Sequence, residues 1–262
     1  MKSRKAPASR RRAALALASL LALGCAGARP AAPPAAGTAT AGAAAPAAQA
    51  DTAAMVLEVR LRRSAELSDN NGALRVFDQD LNVLYRAHGT GPGIDAGEVT
   101  YNGRPMNRSV SGKGAVSYRT GRDAPDTQEQ AGGDPWSTIA NSGTPRIPAA
   151  AAAVKLAPYP LVTQPAPWAG IVRTQELSVV MLPPVPDLWF RVTMAGQGES
   201  VTADDLGEGR FIFPVGRLTD LHEGRAHILI EVESTCGSCR GPAGMRLNWS
   251  SHTELEIPLT LL

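Results

Sequence analysis

The C-terminal half of the chain alternates apolar and polar residues with a period of two, and this pattern constrains the fold more than any other feature. Near the C-terminus, Leu255, Ile257, Leu259 and Leu261 occupy every second position. Successive side chains of a β-strand point to opposite faces, so this spacing predicts a strand with one apolar face. Similar stretches, separated by turn residues, predict strands at 176–182, 188–194, 209–213, 225–233, 245–249 and 253–262.

The same period appears further towards the N-terminus. Leu57, Val59 and Leu61 alternate with charged residues and predict another strand. Further elements predicted from the sequence are a turn at Asn71-Gly72, strands at 73–77 and 83–87, and a hairpin loop at 78–82. Residues 55–262 are therefore predicted to form an all-β fold, an antiparallel β-sandwich.

The middle of the folded region, 88–167, is rich in Gly, Pro, Ser, Asp and Asn. Its composition leaves two interpretations open: a long loop-rich excursion over the surface, or a region of weak strands. Residues 149–156 are the one helix candidate, because alanine favours helix and Pro148 suits a helix start. The middle also suggests a division of the folded region into an N-terminal part, 55–167, and a C-terminal part, 168–262.

The charge of the chain is unevenly distributed. Residues 1–24 contain six basic residues and no acidic ones, so the remainder, with 20 basic and 24 acidic residues, has a net charge of −4. A mildly acidic body lacks the basic footprint of a nucleic-acid-binding protein, and no nucleic-acid partner is expected. The chain also lacks an uninterrupted run of about 18 apolar residues, which argues against a polytopic membrane protein.

Residues 1–24 have the layout of a signal peptide. A basic segment precedes eleven residues, 13–23, of which only Ser19 is polar. At about 1.5 Å per residue this segment would span about 16 Å as a helix, too short for the ~30 Å hydrocarbon core of a bilayer. The segment is therefore interpreted as an export signal rather than a permanent anchor.

The end of this leader, Leu21-Ala22-Leu23-Gly24-Cys25, resembles the lipobox of bacterial lipoprotein precursors. The resemblance implies that the leader is removed and that Cys25 is acylated and becomes the first residue of a membrane-anchored protein. By the same resemblance, Ala26 in place of an aspartate favours the outer membrane, with the body facing the periplasm or the cell surface. The alternative is an ordinary secretory leader cut near Ala26 or Ala28, which would discard Cys25.

A linker is predicted between Cys25 and the folded region. Residues 26–54 contain 16 alanines and 4 prolines among 29 positions. The prolines interrupt every helical run, and the segment has too few large apolar residues to offset the entropy of ordering. As a flexible coil it would separate its ends by about 30 Å and hold the body clear of a lipid surface.

The C-terminal part resembles an immunoglobulin-like β-sandwich. Phe211-Ile212-Phe213-Pro214, followed by Leu218, Leu221 and Gly224 and by a long apolar strand, resembles the passage from strand E to strand F in that family. The resemblance implies that the alternating segment 255–261 is the final strand, G.

Cys236-Gly237-Ser238-Cys239 is the sharpest local motif. We predict a short structural disulfide, because export places the pair in an oxidising compartment. A thioredoxin-like redox centre is a second interpretation, although that chemistry uses a cysteine at a helix N-terminus and this motif follows a strand. The third is a zinc site that combines both cysteines with two of the three nearby histidines, His222, His227 and His252.

Candidate catalytic residues are not recognised. Asn141–Pro148 faintly resembles a turn of L,D-transpeptidase-related peptidoglycan enzymes, and Glu231 and Met245 stand where that family has its catalytic histidine and cysteine. The resemblance implies a relative that is inactive by that mechanism, because neither side chain can act as the nucleophile or its base.

Two functions are therefore predicted. The first is a lipid-anchored envelope protein with a non-enzymatic binding or assembly role, whose partner is an unidentified envelope protein or polysaccharide. The alternative is an extracytoplasmic enzyme that acts on cell-wall polymer. Trp136 and Trp168 are candidate binding aromatics, whereas Trp189 and Trp249 are predicted to lie in the core. No cofactor and no metal are expected.

Overall fold

The computed structural model describes residues 54–68, 73–120, 131–182 and 187–262. The predicted leader, Cys25, all but the last residue of the predicted linker, and the Asn71-Gly72 turn lie outside these residues.

The regular secondary structure of the described residues is almost entirely β. One short helix, α1 (Val215–Leu218), and one 3₁₀ turn (Pro242–Gly244) interrupt the strands. The strands are β1 (Val56–Leu67), β2 (Leu74–Arg86), β3 (Val99–Tyr101), β4 (Arg104–Pro105), β5 (Asn107–Val110), β6 (Val116–Arg119), β7 (Trp136–Asn141), β8 (Ala150–Lys155), β9 (Leu161–Gln164), β10 (Gly170–Ile171), β11 (Leu177–Leu182), β12 (Trp189–Gly196), β13 (Glu199–Thr202), β14 (Asp204–Gly207), β15 (Arg210–Phe213), β16 (Gly224–Arg240) and β17 (Arg246–Leu261).

Nine strands form one long sheet. Their order is β13-β12-β16-β17-β1-β2-β6-β5, and β10 also pairs with β17. At its centre, β16 and β17 are antiparallel over almost their whole length, and β1 lies parallel to β17 with Val56 opposite Arg246. The long sheet draws strands from both sides of residue 167, because β1 and β2 are joined to β12 and β16 through β17.

Two four-stranded sheets cover the same face of the long sheet. The first small sheet has the order β4-β3-β7-β8, and the second has the order β14-β15-β11-β9. Along β17, Leu247 packs into the core beneath the first small sheet, and Leu255, Ile257 and Leu259 pack into the core beneath the second. All four positions have the same parity, so their side chains share one face of the strand. The two small sheets therefore lie side by side on one layer.

The opposite face of the long sheet is polar. Arg62 on β1 is exposed, and its neighbours across the sheet are His252 on β17 and, beyond it, Glu233 on β16. The His252 Nδ1 atom lies 3.3 Å from a Glu233 carboxylate oxygen, and its Nε2 atom lies 2.9 Å from a carboxylate oxygen of Glu254. This alternation of apolar inner and charged outer residues is typical of a sheet with one solvated face.

The predicted all-β sandwich is confirmed, and several finer predictions are wrong. Residues 149–156 do not form a helix: they contain β8, whose Ala152 and Val154 are buried against the core while Ala151 and Ala153 are exposed. Core packing with a period of two overrides the helix preference of alanine there. The predicted hairpin loop 78–82 instead lies within the continuous strand β2.

Of the two interpretations of 88–167, that of weak strands is correct. Seven strands, β3 to β9, lie there within the described residues, and each has six residues or fewer. In the part of the chain that the structure describes, no helix has the length and apolarity needed to cross a bilayer.

Candidate binding cleft

The chain passes from the first small sheet to the second through a buried segment. This crossing segment (156–160, Leu-Ala-Pro-Tyr-Pro) joins β8 to β9, and all five of its residues are buried. Buried backbone groups need hydrogen-bond partners. Residues just before β7 supply two of these partners. The Leu156 amide donates to the Pro135 carbonyl, and the Gly132 amide donates to the Tyr159 carbonyl, both at 2.7 Å.

The long sheet supplies the remaining partners at Ala157. The Ala157 amide donates to the Ser251 hydroxyl oxygen at 2.5 Å. Its carbonyl accepts from the Thr253 hydroxyl at 2.7 Å and from the Arg63 guanidinium at 2.7 Å. These three side chains are polar residues at inward positions of the long sheet, and each is less than a tenth exposed. They explain why β1 and β17 carry polar residues at the seam between the two cores.

Arg63 contacts both the crossing segment and β17 at this boundary between the two cores. Its Nε also donates to the Thr253 hydroxyl oxygen at 3.1 Å, and its guanidinium carbon lies 4.3 Å from the centre of the Tyr159 ring. The sequence contained a signal for this position, because Arg63 continues the inward series Leu57, Val59 and Leu61. The prediction from the sequence named the inward series only as far as Leu61, so the arginine was missed.

An open cleft lies at this seam, and its first portion carries an exposed aromatic ring. This aromatic portion has a volume of about 380 Å³ and is lined mainly by polar and aromatic residues: Arg63, Tyr101, Asn102, Gly133, Asp134, Pro135, Trp136, Ser137, Leu156, Pro158 and Tyr159. Trp136 is 54% exposed, and its amide donates to the Asp134 carboxylate at 2.9 Å, which fixes the start of β7. The Tyr101 and Ser137 hydroxyls lie 3.3 Å apart below it.

The second portion of the cleft is an apolar pocket of about 400 Å³. It lies where the second small sheet and β12 of the long sheet part. Its walls include Met181, Phe190 and Phe211, which belong to or pack against the core beneath that sheet. Both portions share Gly133, Pro158 and Tyr159, so the crossing segment forms a common wall.

Carboxylates surround the mouth of the apolar pocket. Asp187, Asp205 and Glu208 line it and are exposed. Asp205 lies in β14 and Glu208 in the turn that joins β14 to β15, and the Asp205 carboxylate accepts from the Gly207 amide at 2.7 Å. Gly207, Glu208 and Gly209 all have positive φ angles, the left-handed conformation that glycine tolerates best. The β14–β15 hairpin therefore places two carboxylates beside the apolar pocket.

The structure separates the tryptophans predicted from the sequence. Trp136 and Trp168 are both exposed, but Trp136 lines the cleft and Trp168 is not among its lining residues. The prediction that Trp189 lies in the core is wrong, because it is 51% exposed on the polar side of β12. Trp249 is partly buried against the core and donates its indole N–H to Ser234.

The predicted disulfide between Cys236 and Cys239 is present, with the Cα atoms 5.9 Å apart. It lies at a bulge of β16, opposite Trp249 and Leu247 of β17. Both sulfurs are bonded to each other, so neither is a thiolate ligand for zinc in this structure. Among the described residues, no group of three or more His, Cys, Asp or Glu side chains is arranged to hold a metal ion.

The two positions equivalent to transpeptidase catalytic residues lie apart. Glu231 is on the polar face of the long sheet, where its carboxylate lies 3.7 Å from Arg191. Met245 is buried in the core beneath the first small sheet. Opposite faces of one sheet separate these side chains, so they do not form a common site.

Two carboxylates with lowered pKa values lie outside the cleft. The pKa of Asp95 is lowered by a hydrogen bond from Arg108 at 2.7 Å and further by bonds from the Gly97 amide and the Tyr118 hydroxyl. Burial acts to raise the pKa of Glu58, but the adjacent Arg86 and Arg60 outweigh it and lower that pKa. Both carboxylates are tied to arginines and hydroxyls of the scaffold, so we assign them structural roles.

Comparison with known proteins does not assign a family. No protein-family model matches the sequence. The search of curated proteins also finds no match. Among solved structures, the chain is similar to murine CEACAM1b at 11% sequence identity and a TM-score of 0.25, over 78% of this chain and 100% of that chain.

Proposed function

We propose that this protein is a lipid-anchored, non-enzymatic binding protein of the bacterial cell envelope, and that its ligand occupies the cleft between the two small sheets. The observation that carries the proposal is the pair of adjoining pockets, which places an exposed tryptophan and an apolar pocket on either side of the crossing segment. Ligand sites are concave, mostly apolar and furnished with a few polar groups, as this cleft is.

The aromatic portion fits a polysaccharide or an extended protein segment. An exposed indole offers an apolar face and a polar edge, and Asn102 and Ser137 provide hydrogen-bonding groups nearby. The ring sits on a strand whose start is fixed by Asp134, so little ordering is required when a ligand arrives.

The anchor is part of the same proposal. The lipobox-like segment supports acylation at Cys25, and an acylated cysteine with two or more chains holds a protein stably at a membrane. Mass spectrometry of the mature N-terminus tests it. An N-terminal Cys25 with the added mass of acyl chains supports the anchor, and an unacylated N-terminus near Ala26 or Ala28 contradicts it.

We further propose that the C-terminal part is immunoglobulin-like. Its support is local: Leu218 and Leu221 are buried after β15, Gly224 with φ +124 begins β16, and β17 follows as its antiparallel neighbour.

Co-sedimentation with purified peptidoglycan tests the cleft and the choice between binding and catalysis. We expect the protein to pellet with the polymer, Trp136→Ala to lose most of that binding, and Trp168→Ala to retain it. Equal losses in both variants would contradict the cleft as the polysaccharide site.

The same sample discriminates the alternative function. New soluble muropeptides would favour an enzyme that acts on cell-wall polymer over a binding protein. If the polymer is not bound, a pull-down from envelope extracts tests the protein-segment ligand, and loss of capture by Trp136→Ala supports the cleft as its site.

A further inference from the structure

We infer that the apolar pocket binds an organic cation, a ligand with an apolar body and one ammonium or guanidinium group. The inference rests on the proposed function in that the pocket is one portion of the same cleft. It adds the chemical class of the group that the pocket receives.

The pocket can accept an apolar body because it opens directly onto core side chains. Met181 and Phe211 are at most 4% exposed and belong to the core beneath the second small sheet, and the partly buried Phe190 and Leu188 pack against it. A volume of about 400 Å³ lies within the range of small-molecule sites, about 300–1,000 Å³. Burying apolar ligand surface against these walls supplies affinity without any charge.

The side chains at the mouth of the pocket determine whether a charged group on the ligand should be positive or negative. Three exposed carboxylates, Asp187, Asp205 and Glu208, line it. Of the cations nearby, Lys155 pairs with Asp187 at 3.5 Å, Arg217 pairs with Asp204 at 2.8 Å, and Arg63 is held by the Ala157 carbonyl. Arg210 alternates with the pocket-lining Phe211 along β15, so it points to the other face of that sheet. Asp205 and Glu208 of the β14–β15 hairpin therefore give the mouth a negative potential, which attracts a cation and repels an anion.

The geometry of the turn keeps these carboxylates at the mouth. Gly209 has φ +73. Its carbonyl accepts a hydrogen bond from the Met181 amide of β11 at 2.9 Å, which joins the end of the turn to the second small sheet. Asp205 is held by the Gly207 amide. Neither carboxylate needs to move far to meet a cationic group that projects from the pocket.

The test uses three probes of the same shape: 4-phenylbutylamine, 4-phenylbutanol and 4-phenylbutanoate, which are cationic, neutral and anionic at neutral pH. The protein is the mature chain, which begins at residue 25, with Cys25→Ser; it lacks both the apolar leader and the acylation site, so calorimetry needs no detergent. We expect the amine to bind most tightly, the alcohol less tightly and the carboxylate least. We expect 0.5 M NaCl to lower the affinity for the amine only.

Variants locate the effect. Each exposed carboxylate contributes weakly to the binding of a cation. The double variant Asp205→Asn, Glu208→Gln should therefore lower the affinity for the amine by about four- to twenty-fold and leave the affinity for the alcohol unchanged. Glu176→Gln is the matched control, since Glu176 is exposed near the other end of β11 from the pocket and should change nothing.

Three results would overturn the inference: equal affinities for all three probes, a lower affinity for the amine in the Glu176→Gln control, or no detectable binding of the amine. These outcomes are separable from failure of the proposed function. Trp136→Ala tests the polymer in the aromatic portion and should leave the affinity for the amine unchanged.

Discussion

Replacing Arg63 tests whether the crossing segment is held by the long sheet. Arg63→Met keeps the aliphatic part of the side chain and removes the guanidinium, which bonds the Ala157 carbonyl and the Thr253 hydroxyl and lies over the Tyr159 ring. Hydrogen bonds to charged groups contribute about 1.5–3 kcal/mol each, and a desolvated cation–π contact adds about 2 kcal/mol.

Two effects reduce this sum. The variant no longer buries a charge, and the Ala157 carbonyl keeps its bond from Thr253. We therefore expect Arg63→Met to lower the free energy of unfolding by about 2–4 kcal/mol. Urea titration followed by tryptophan fluorescence and far-ultraviolet circular dichroism measures it, and an unchanged m-value shows that the two states remain comparable.

A double-mutant cycle identifies the mechanism. Thr253→Val preserves the shape of the side chain, and in combination with Arg63→Met it removes both of these donors to the buried Ala157 carbonyl. Each single variant also breaks the Arg63–Thr253 hydrogen bond, so the two losses are coupled, and we expect the loss of the double variant to differ from their sum by about 1 kcal/mol. A loss below about 1 kcal/mol for Arg63→Met, or strict additivity in the cycle, would refute this account of the seam.

Three further perturbations follow from particular contacts. Gly207→Ala should lower the free energy of unfolding by about 1–2 kcal/mol, because Gly207 has a positive φ. Gly209→Ala should lower it by more, because Gly209 also has a positive φ and a Cβ there would lie 2.8 Å from the Met181 carbonyl oxygen. Equal urea midpoints for the two variants would contradict the predicted clash. Because the pKa of Asp95 is lowered by folding, it stabilises the protein above the pKa of an unfolded aspartate, about 3.9, and this contribution is lost as the pH falls through the lowered value. Asp95→Asn should therefore reduce the dependence of the urea midpoint on pH below about pH 4, and an unchanged dependence argues against it. Reduction of the Cys236–Cys239 disulfide, which closes a loop with a sequence separation of 3, should lower stability by at most about 2 kcal/mol and preserve the far-ultraviolet spectrum; unfolding on reduction would show a larger role.

The periodicity of the chain was sufficient to predict β1, β12, β16 and most of β17 at the centre of the long sheet. Where apolar residues alternate over many positions, as in β16 and β17, one face must be buried, and the strand and its inward residues follow from the sequence. The same rule, extended by one position, places Arg63 inward. The disulfide could also be predicted, because a closely spaced cysteine pair needs little tertiary information.

Short strands and alanine-rich strands could not be predicted in this way. The strands of the first small sheet have two to six residues, too few for a period of two to be distinguished from a loop. In β8, the local preference of alanine for helix is opposed by packing of Ala152 against β7 and the core, which acts only once distant strands are in place.

What the sequence alone determined is that this chain forms β-sheets with a defined inner face. Only the tertiary structure decided that two small sheets share that face, and that a crossing segment and a cleft lie between them. The cleft residues come from β1, the β3–β4 hairpin, β7, β11, β12, the segments around 133 and 158, and the β14–β15 hairpin. No local pattern joins these segments, because their proximity arises from pairing and packing between residues far apart in the chain.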